Sequence, residues 1–127
     1  MDGMVQHHPL TILRLKKRQE FVSLAKQGSK FVTPTLIIQS APNPACAEAC
    51  RVGFTTSRVL GNAVKRNRIR RRLREAVRAL FPDYARTGYD YVLIGRQTAL
   101  AAPYGDIVKD LQRGLRKIHE PKKNTAP

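Results

Sequence analysis

The most constraining feature of the sequence is a basic segment, residues 63–80, in which apolar residues recur at helical spacing. At 3.6 residues per turn, one narrow stripe consists of Ile69, Leu73, Ala76 and Leu80, with Val77 at its edge. An apolar stripe needs an apolar surface to pack against. The segment therefore predicts a helix that docks on a sheet by one face.

Arginine covers the other faces of this predicted helix. The column beside the stripe consists of Arg66, Arg70, Arg74 and Arg78, and the remaining circumference holds Lys65, Arg68, Arg71 and Arg72. Glu75 is the only acid in the segment. Like charges at i, i+4 each cost a few tenths of a kcal/mol, and helices kept only for solubility mix both signs. The guanidinium fork grips phosphate oxygens or stacks on bases, so the pattern favours a polyanion-docking surface over a merely solvated face.

Two asparagines add to this pattern. Asn67 lies between two arginines, and its amide donates and accepts hydrogen bonds, as a contact to a ribose hydroxyl or a base edge requires. Asn62 precedes the helix and suits either an N-cap or a ligand contact, because helix N-termini bind phosphate. We place Asn62 and Lys65 with the arginines on the predicted binding surface.

The overall charge points to the same class of partner. The 127 residues contain 24 Lys and Arg against nine Asp and Glu, a net charge of +15. Nucleic acid is the usual partner of so basic a domain, with an anionic membrane as the rival. No apolar run of membrane-spanning length and no hydrophobic leader is present in the sequence, so we expect a cytoplasmic protein without membrane attachment.

Catalytic and metal-binding candidates are sparse. The acids are scattered, and the histidines (His7, His8 and His119) lie near the chain ends, which disfavours a protein-only nuclease. Cys46 and Cys50 could form a disulfide or half a zinc site, but reduced thiols are the expected state. We expect no catalytic residue and no metal ligand. A structural RNA binder such as a ribosomal protein fits the charge equally well.

Local patterns predict an α+β fold of order αββαβα, with a small mixed sheet packed against helices. The predicted elements are a helix over residues 18–27, strands over 31–40 and 51–56, the basic helix, a strand over 89–95 and a helix over 104–119. Pro34 interrupts the first strand, the second is expected to pair back with the first, and Pro82–Asp83 is expected to end the basic helix. In the third strand, Tyr91 and Leu93 should share one face and Val92 and Ile94 the other. A single domain over 14–119 is expected between flexible tails, 1–13 and 120–127.

Residues 51–78, RVGFTTSRVLGNAVKRNRIRRRLREAVR, closely resemble the protein subunit of bacterial ribonuclease P. They contain that family's signature, Gly-Asn-Ala-Val-x-Arg-Asn-Arg followed by basic residues and Arg-Glu. The stretch RLKKRQEFVSLAKQGSKFV, with its basic lead-in, resembles the family's first helix and the entry into its first strand. The resemblance extends over most of residues 14–118.

The resemblance implies an α/β sandwich with a left-handed β-α-β crossover. It also implies an accessory subunit that binds a catalytic RNA and precursor tRNA, without an obligate protein partner. The RNA carries out removal of the 5′ leader with Mg²⁺, and the protein binds no cofactor by itself. The residues implied to face the catalytic RNA are Arg66, Asn67, Arg68, Arg70 and Arg71.

A cleft between the sheet and the first helix is implied to hold the single-stranded leader, with Phe21 facing it and Arg58 beside it. Phe21 also suits a plain core position. Two residues depart from the family pattern. Ala25 stands where many relatives carry an aromatic residue, and Gln39 stands where some relatives do. Base stacking contributes about 1–3 kcal/mol per base. The grip on the leader is therefore expected to rely more on charge in this chain.

Overall fold

A five-stranded mixed sheet forms the centre of the protein. The computed structural model describes residues 10–120. The strands are β1 (Ile12–Arg14), β2 (Ser29–Val32), β3 (Leu36–Pro42), β4 (Cys50–Thr55) and β5 (Tyr89–Gly95). The helices are α1 (Arg18–Gln27), α2 (Ala63–Tyr84) and α3 (Tyr104–Ile118). The predicted α+β class with a small mixed sheet is confirmed.

The strand order across the sheet is β1-β4-β5-β3-β2. Strands β1, β4 and β5 run parallel to one another, whereas β3 is antiparallel to both β5 and β2. Helix α2 connects the parallel neighbours β4 and β5, so the predicted β-α-β crossover is present. Its left hand stays a prediction of the resemblance.

The sheet is covered on both faces. Helices α2 and α3 pack on one face, where Tyr91 and Leu93 of β5 are fully buried. Helix α1 packs on the other face, where Leu24 meets Val92 and Ile94. The predicted alternation along β5 is confirmed, and it separates a large core under α2 and α3 from a small one under α1.

The predicted strand over 31–40 is two strands. Pro34 lies in the turn between β2 and β3, where the Thr33 hydroxyl donates to the Leu36 carbonyl at 2.6 Å. Proline suits this turn because its ring fixes φ and its missing N–H is not needed there. The pairing of the next strand was also predicted wrongly, since β4 lies between β1 and β5 and makes no ladder with β3.

The N-terminal boundary of the domain also differs from the prediction. Residues 12 and 13, assigned to a flexible tail, belong to β1, and Ile12 and Leu10 pack against the large core. A strand of three residues is too short to leave a periodic pattern in the sequence. The other parts of the two predicted tails, residues 1–9 and 121–127, lie outside the described residues.

Helix α2 continues four residues beyond the predicted end at residue 80, through Pro82. The proline removes only the amide that would reach the carbonyl of Arg78, in the last turn. Phe81 is fully buried and Tyr84 packs against the core, so the last turn is stabilised by apolar burial. Local sequence signals do not reveal this stabilisation, because it depends on contacts with residues distant in sequence.

Candidate nucleic-acid interface

The apolar stripe of α2 is buried as predicted. Ile69, Leu73 and Ala76 have no exposed surface, and Val77 and Leu80 are also buried. Burial of the stripe fixes which side of the helix faces solvent. The exposed basic and amide side chains of α2 are Lys65, Asn67, Arg68, Arg71, Arg74 and Arg78, while Arg66 and Arg70 are half-buried.

No carboxylate of residues 10–120 forms an ion pair with the guanidinium groups of this surface. Within residues 10–120, the ion pairs involve only Arg51 and Lys117 as cations, and neither belongs to α2. Glu75 is exposed and pairs with none of the neighbouring arginines there. The exposed face of α2 therefore presents concentrated positive charge to an external partner.

The start of α2 is set by two residues of the signature. Gly61 has φ +126°, a backbone conformation that residues with a side chain rarely adopt. A Cβ at this position would also lie 2.8 Å from Cδ of Lys65. The Asn62 side chain accepts a hydrogen bond from the Lys65 amide at 3.0 Å. The capping role of Asn62 is confirmed, whereas its predicted contact with RNA stays a prediction.

Asn67 and Arg70 are joined to each other. The Asn67 Oδ1 accepts from the Arg70 guanidinium at 2.6 Å, which orients both side chains one turn apart. The amide nitrogen of Asn67 makes no hydrogen bond with residues 10–120. The pair therefore keeps donors available on the exposed side of the helix.

Arg72 has a different role from its neighbours. Its guanidinium donates to the carbonyl of Ala102, in the segment that leads into α3, and the side chain is half-buried. Arg72 thus ties α2 to α3. The helical period placed Arg72 among the surface arginines, because sequence spacing does not reveal a partner 30 residues away.

The opposite face of the sheet carries a cleft of about 500 Å³ beneath α1. Its walls and floor are formed by Lys16, Arg18, Phe21, Val22, Ala25, Gln39, Thr55, Val92 and Ile94. Apolar side chains of β5 form much of the floor, and two cations of the basic lead-in reach the lining. The lead-in was noted in the sequence, but its contribution to the cleft was not predicted.

Phe21 lines the cleft and is half-buried, so it joins the small core and the cleft at once. Its ring lies against Gly53 of β4, where a Cβ would stand 2.4 Å from the ring carbon Cζ. Arg58 is exposed, in a short turn of 3₁₀-helix after β4, and is not part of the cleft lining. The structure therefore places Phe21 in the cleft but does not bring Arg58 to it.

An ion-pair network holds α1 over the sheet. Arg51 of β4 binds both carboxylate oxygens of Asp90 at 2.8 and 2.7 Å, and it contacts Glu20 of α1 at 2.5 Å. The hydrogen bond from Arg51 lowers the pKa of Glu20, and the bond to Asp90 raises the pKa of Arg51. The network fixes the helix that forms one wall of the cleft, and sequence reasoning missed it because its members are far apart in the chain.

Other predicted features can be placed as well. Cys46 is partly exposed and Cys50 is buried, and both are free thiols, with burial raising the pKa of Cys50 to about 11. In the part of the chain that the structure describes, no three or more His, Cys, Asp or Glu side chains are grouped so that they could hold a metal ion. None of the helices in that part has the length and apolar character needed to cross a membrane.

The chain matches the family model described as Ribonuclease P over residues 11–119. It is 47% identical to the ribonuclease P protein component of Paramagnetospirillum magneticum, over 83% of this chain and 81% of that protein. It is 45% identical to that of Ruegeria pomeroyi, over 85% and 87%. The RNase P protein of Staphylococcus aureus superposes with a TM-score of 0.71 at 28% identity, covering 82% of this chain and 93% of that one.

Proposed function

The chain belongs to the ribonuclease P protein family, and we propose that it acts in the removal of the 5′ leader from precursor tRNA by binding RNA on two opposite surfaces. One surface is the arginine face of α2, which binds the catalytic RNA subunit. The other is the cleft beneath α1, which binds the leader. Cleavage itself belongs to the RNA subunit, and Mg²⁺ serves that RNA.

The main support for this proposal is the basic face of α2, whose cations form no ion pair with any acid between residues 10 and 120. Its residues in the proposed RNA contact are Asn62, Lys65, Arg66, Asn67, Arg68, Arg70 and Arg71. Arginines without acidic partners gain affinity by releasing condensed counterions from a phosphate backbone. The hydrogen bond between Asn67 and Arg70 pre-orients two of these side chains, which reduces the entropy lost on binding.

The cleft has the properties of a site for a short single strand. Phe21 offers a ring for base stacking, and Lys16 and Arg18 supply charge for the backbone. It lies on the face of the sheet opposite α2, so one protein molecule can contact the catalytic RNA and the leader at the same time. Arg58 lies outside the cleft lining and is proposed to contact the part of the leader that emerges from the cleft.

Reconstitution tests the proposal. Precursor tRNA is incubated with the protein alone, with a bacterial ribonuclease P RNA alone and with both, at moderate Mg²⁺. We expect no cleavage by the protein alone and a higher kcat/KM for the pair than for the RNA. Cleavage by the protein alone would identify a protein nuclease, and no gain from the pair would indicate an RNA binder of another kind.

Variants then separate the two surfaces. We expect Arg66→Ala/Arg68→Ala to weaken binding of the RNA subunit by about a hundredfold or more, since contacts to charged groups contribute about 1.5–3 kcal/mol each. Arg113→Ala, an exposed arginine of α3, is the matched control and should leave that affinity nearly unchanged. Phe21→Ala should instead reduce the preference of the assembled enzyme for leader-bearing precursor over mature tRNA. The same defect from both kinds of variant would contradict the two-surface proposal.

A further inference from the structure

The two most exposed large apolar side chains of residues 10–120 lie in one short segment, on either side of the Gly61–Asn62 turn that precedes α2. Val59 is 88% exposed and Val64 is 76% exposed. The other large apolar side chains that reach solvent are between 40% and 52% exposed. Single apolar residues on a surface are ordinary, but two nearly free valines in one segment offer apolar surface that burial against a partner would stabilise.

The turn that carries Val59 is held by its own hydrogen bonds. The Ser57 hydroxyl accepts from the Val59 amide at 3.2 Å, and the Gly61 amide donates to the Arg58 carbonyl at 3.2 Å. Leu60 packs against the large core, so it anchors the turn while Val59 remains outside. The valine is therefore exposed on a defined backbone, which reduces the entropy lost when a partner covers it.

Val64 belongs to the proposed RNA-binding face of α2. In a helix, residues at i, i+3, i+4 and i+7 share a face, and from Val64 these positions are Asn67, Arg68 and Arg71. All three are exposed, and so is Val64. A partner that binds these side chains therefore also meets the valine at the start of the helix.

The charge around the two valines favours RNA over an apolar protein surface as the partner. Arg58 and Lys65 are exposed and adjoin the valines in the chain, and no acid occurs anywhere in residues 49–74. An unstacked nucleobase offers an apolar face, and its backbone supplies a phosphate for the neighbouring cations. Such a nucleotide satisfies the valines and the cations together, whereas an apolar protein surface would leave the cations unpaired.

We propose that Val59 and Val64 hold an unstacked nucleobase of the catalytic RNA by apolar contact, at the N-terminal end of the arginine face of α2. This inference rests on the proposed function, since it requires that face to bind the RNA subunit. The arginines contribute an affinity that falls with salt, whereas the valines contribute an affinity that changes little with salt. The contact requires no particular base, because every base has an apolar face.

The test measures binding of a bacterial ribonuclease P RNA to the full chain at several salt concentrations. Val59→Ser/Val64→Ser removes the apolar surface, and serine has nearly the helix propensity of valine. Val59→Ile/Val64→Ile enlarges that surface. Val32→Ser is the matched control, because Val32 is an exposed valine on the edge strand β2, outside both proposed RNA surfaces. Arg66→Ala/Arg68→Ala establishes separately whether the arginine face binds the RNA.

We expect the serine variant to bind the RNA about tenfold more weakly at every salt concentration, with an unchanged slope of log K against log salt. The isoleucine variant should bind at least as tightly as the unmodified protein, and Val32→Ser should stay within about twofold of it. Acylation of the 2′-hydroxyls of the bound RNA should identify an unpaired nucleotide that the unmodified protein protects and the serine variant leaves reactive.

The contrary results differ in what they refute. Unchanged affinity of the serine variant, together with weaker binding by Arg66→Ala/Arg68→Ala, would refute the role of the valines alone. Weaker binding by the isoleucine variant would also refute it, and this variant decides if the serine variant does not fold. No effect of Arg66→Ala/Arg68→Ala would refute the arginine face as an RNA surface, and this inference with it. A dimer of the free protein that the serine variant abolishes in sedimentation would assign the valines to a second copy of the chain instead.

Discussion

Gly53 is the residue that allows the Phe21 ring to reach its place at the cleft. A Cβ at position 53 would lie 2.4 and 2.6 Å from two carbons of that ring and 3.1 Å from Cβ of Leu15. We expect Gly53→Ala to cost about 1–3 kcal/mol of stability by overpacking, and to lower affinity for leader-bearing precursor by displacing the ring. Urea unfolding and precursor binding measure the two effects.

A double-mutant cycle identifies the cause of that loss. In a Phe21→Ala background, Gly53→Ala should cost much less stability, because the ring it displaces is gone. Gly105→Ala is the control: its Cβ would meet nothing within 4 Å, and alanine is the better helix former there. An equal cost of Gly53→Ala in both backgrounds would contradict the steric explanation.

His119 is a residue whose protonation should couple stability to pH. Its Nε2 is hydrogen-bonded to Oη of Tyr91 at 2.6 Å, and the same hydroxyl accepts a hydrogen bond from the Arg86 amide. Burial, and then the charge of Arg86, lower the pKa of His119 from 6.5 to about 4. The neutral ring is therefore the form that the folded protein favours.

The sign of the pH effect follows from this shift. The unfolded chain takes up the His119 proton first, so this contribution to stability is complete above about pH 6.5 and is lost as the pH falls toward about 4. We expect His119→Gln to reduce the loss of unfolding free energy between about pH 7.5 and pH 5, measured in urea. Identical losses in both proteins would show that His119 is not the titrating group.

At the scale of the element, α2 divides its arginines between two tasks. Arg71 is exposed and has no acidic partner within the described part of the chain, whereas Arg72 bonds to the carbonyl of Ala102. We expect Arg72→Ala to cost about 1–3 kcal/mol of stability with little change in the salt dependence of RNA binding. Arg71→Ala should leave stability nearly unchanged and reduce the slope of log K against log salt by about one.

These two variants are controls for each other, since they remove the same side chain at adjacent positions. Thermal unfolding of the free protein and RNA binding at several salt concentrations provide the two measurements. Equal effects of the two variants on both measurements would contradict the separate roles that the contacts of Arg71 and Arg72 indicate.

The elements that could be predicted are those encoded by local periodicity. The bounds of α1 and β5 match the sequence prediction, and the stripe of α2 was identified residue by residue, because each pattern repeats within a few turns or alternations. The turn at Pro34 and the three-residue β1 with its pairing to β4 were missed, and the β-α-β connection of β4 to β5 came from the resemblance, not from the patterns. Strand pairing depends on contacts distant in sequence, and such contacts leave no local signal.

The site shows the same division. Most arginines of α2 could be predicted as a surface from the helical period, and Arg72 is the exception because its partner, Ala102, lies 30 residues away. The role of Phe21 came from resemblance, and the structure adds its contact with Gly53. The network of Arg51, Asp90 and Glu20, which holds the cleft wall, joins three elements and could not be read from spacing.

At the scale of the whole molecule, the excess of basic residues leaves the free protein strongly self-repelling. The net charge is +15, and three acids of the described chain (Glu20, Asp90 and Glu120) form its ion pairs. The charge density is greatest on α2, where the i, i+4 column cannot be relieved without a ligand. The proposed binding of RNA to α2 therefore requires an arrangement of charge that lowers the stability of the protein without RNA.

Sulfate should accordingly stabilise the free protein more than chloride does at the same ionic strength, because a divalent anion can bridge neighbouring guanidinium groups. A stabilisation of about 1 kcal/mol would raise Tm by about 4 °C for a domain of this size. Sulfate also stabilises proteins through exclusion from their surfaces, so the test is a comparison between variants.

We expect Arg74→Gln/Arg78→Gln to have a higher Tm than the unmodified protein at low salt and to be stabilised less by sulfate. Lys26→Gln/Lys109→Gln removes the same charge from exposed positions on α1 and α3 and should leave the sulfate effect nearly intact. Equal responses of the two variants would mean that total charge, rather than its concentration on α2, governs the stability of the free protein.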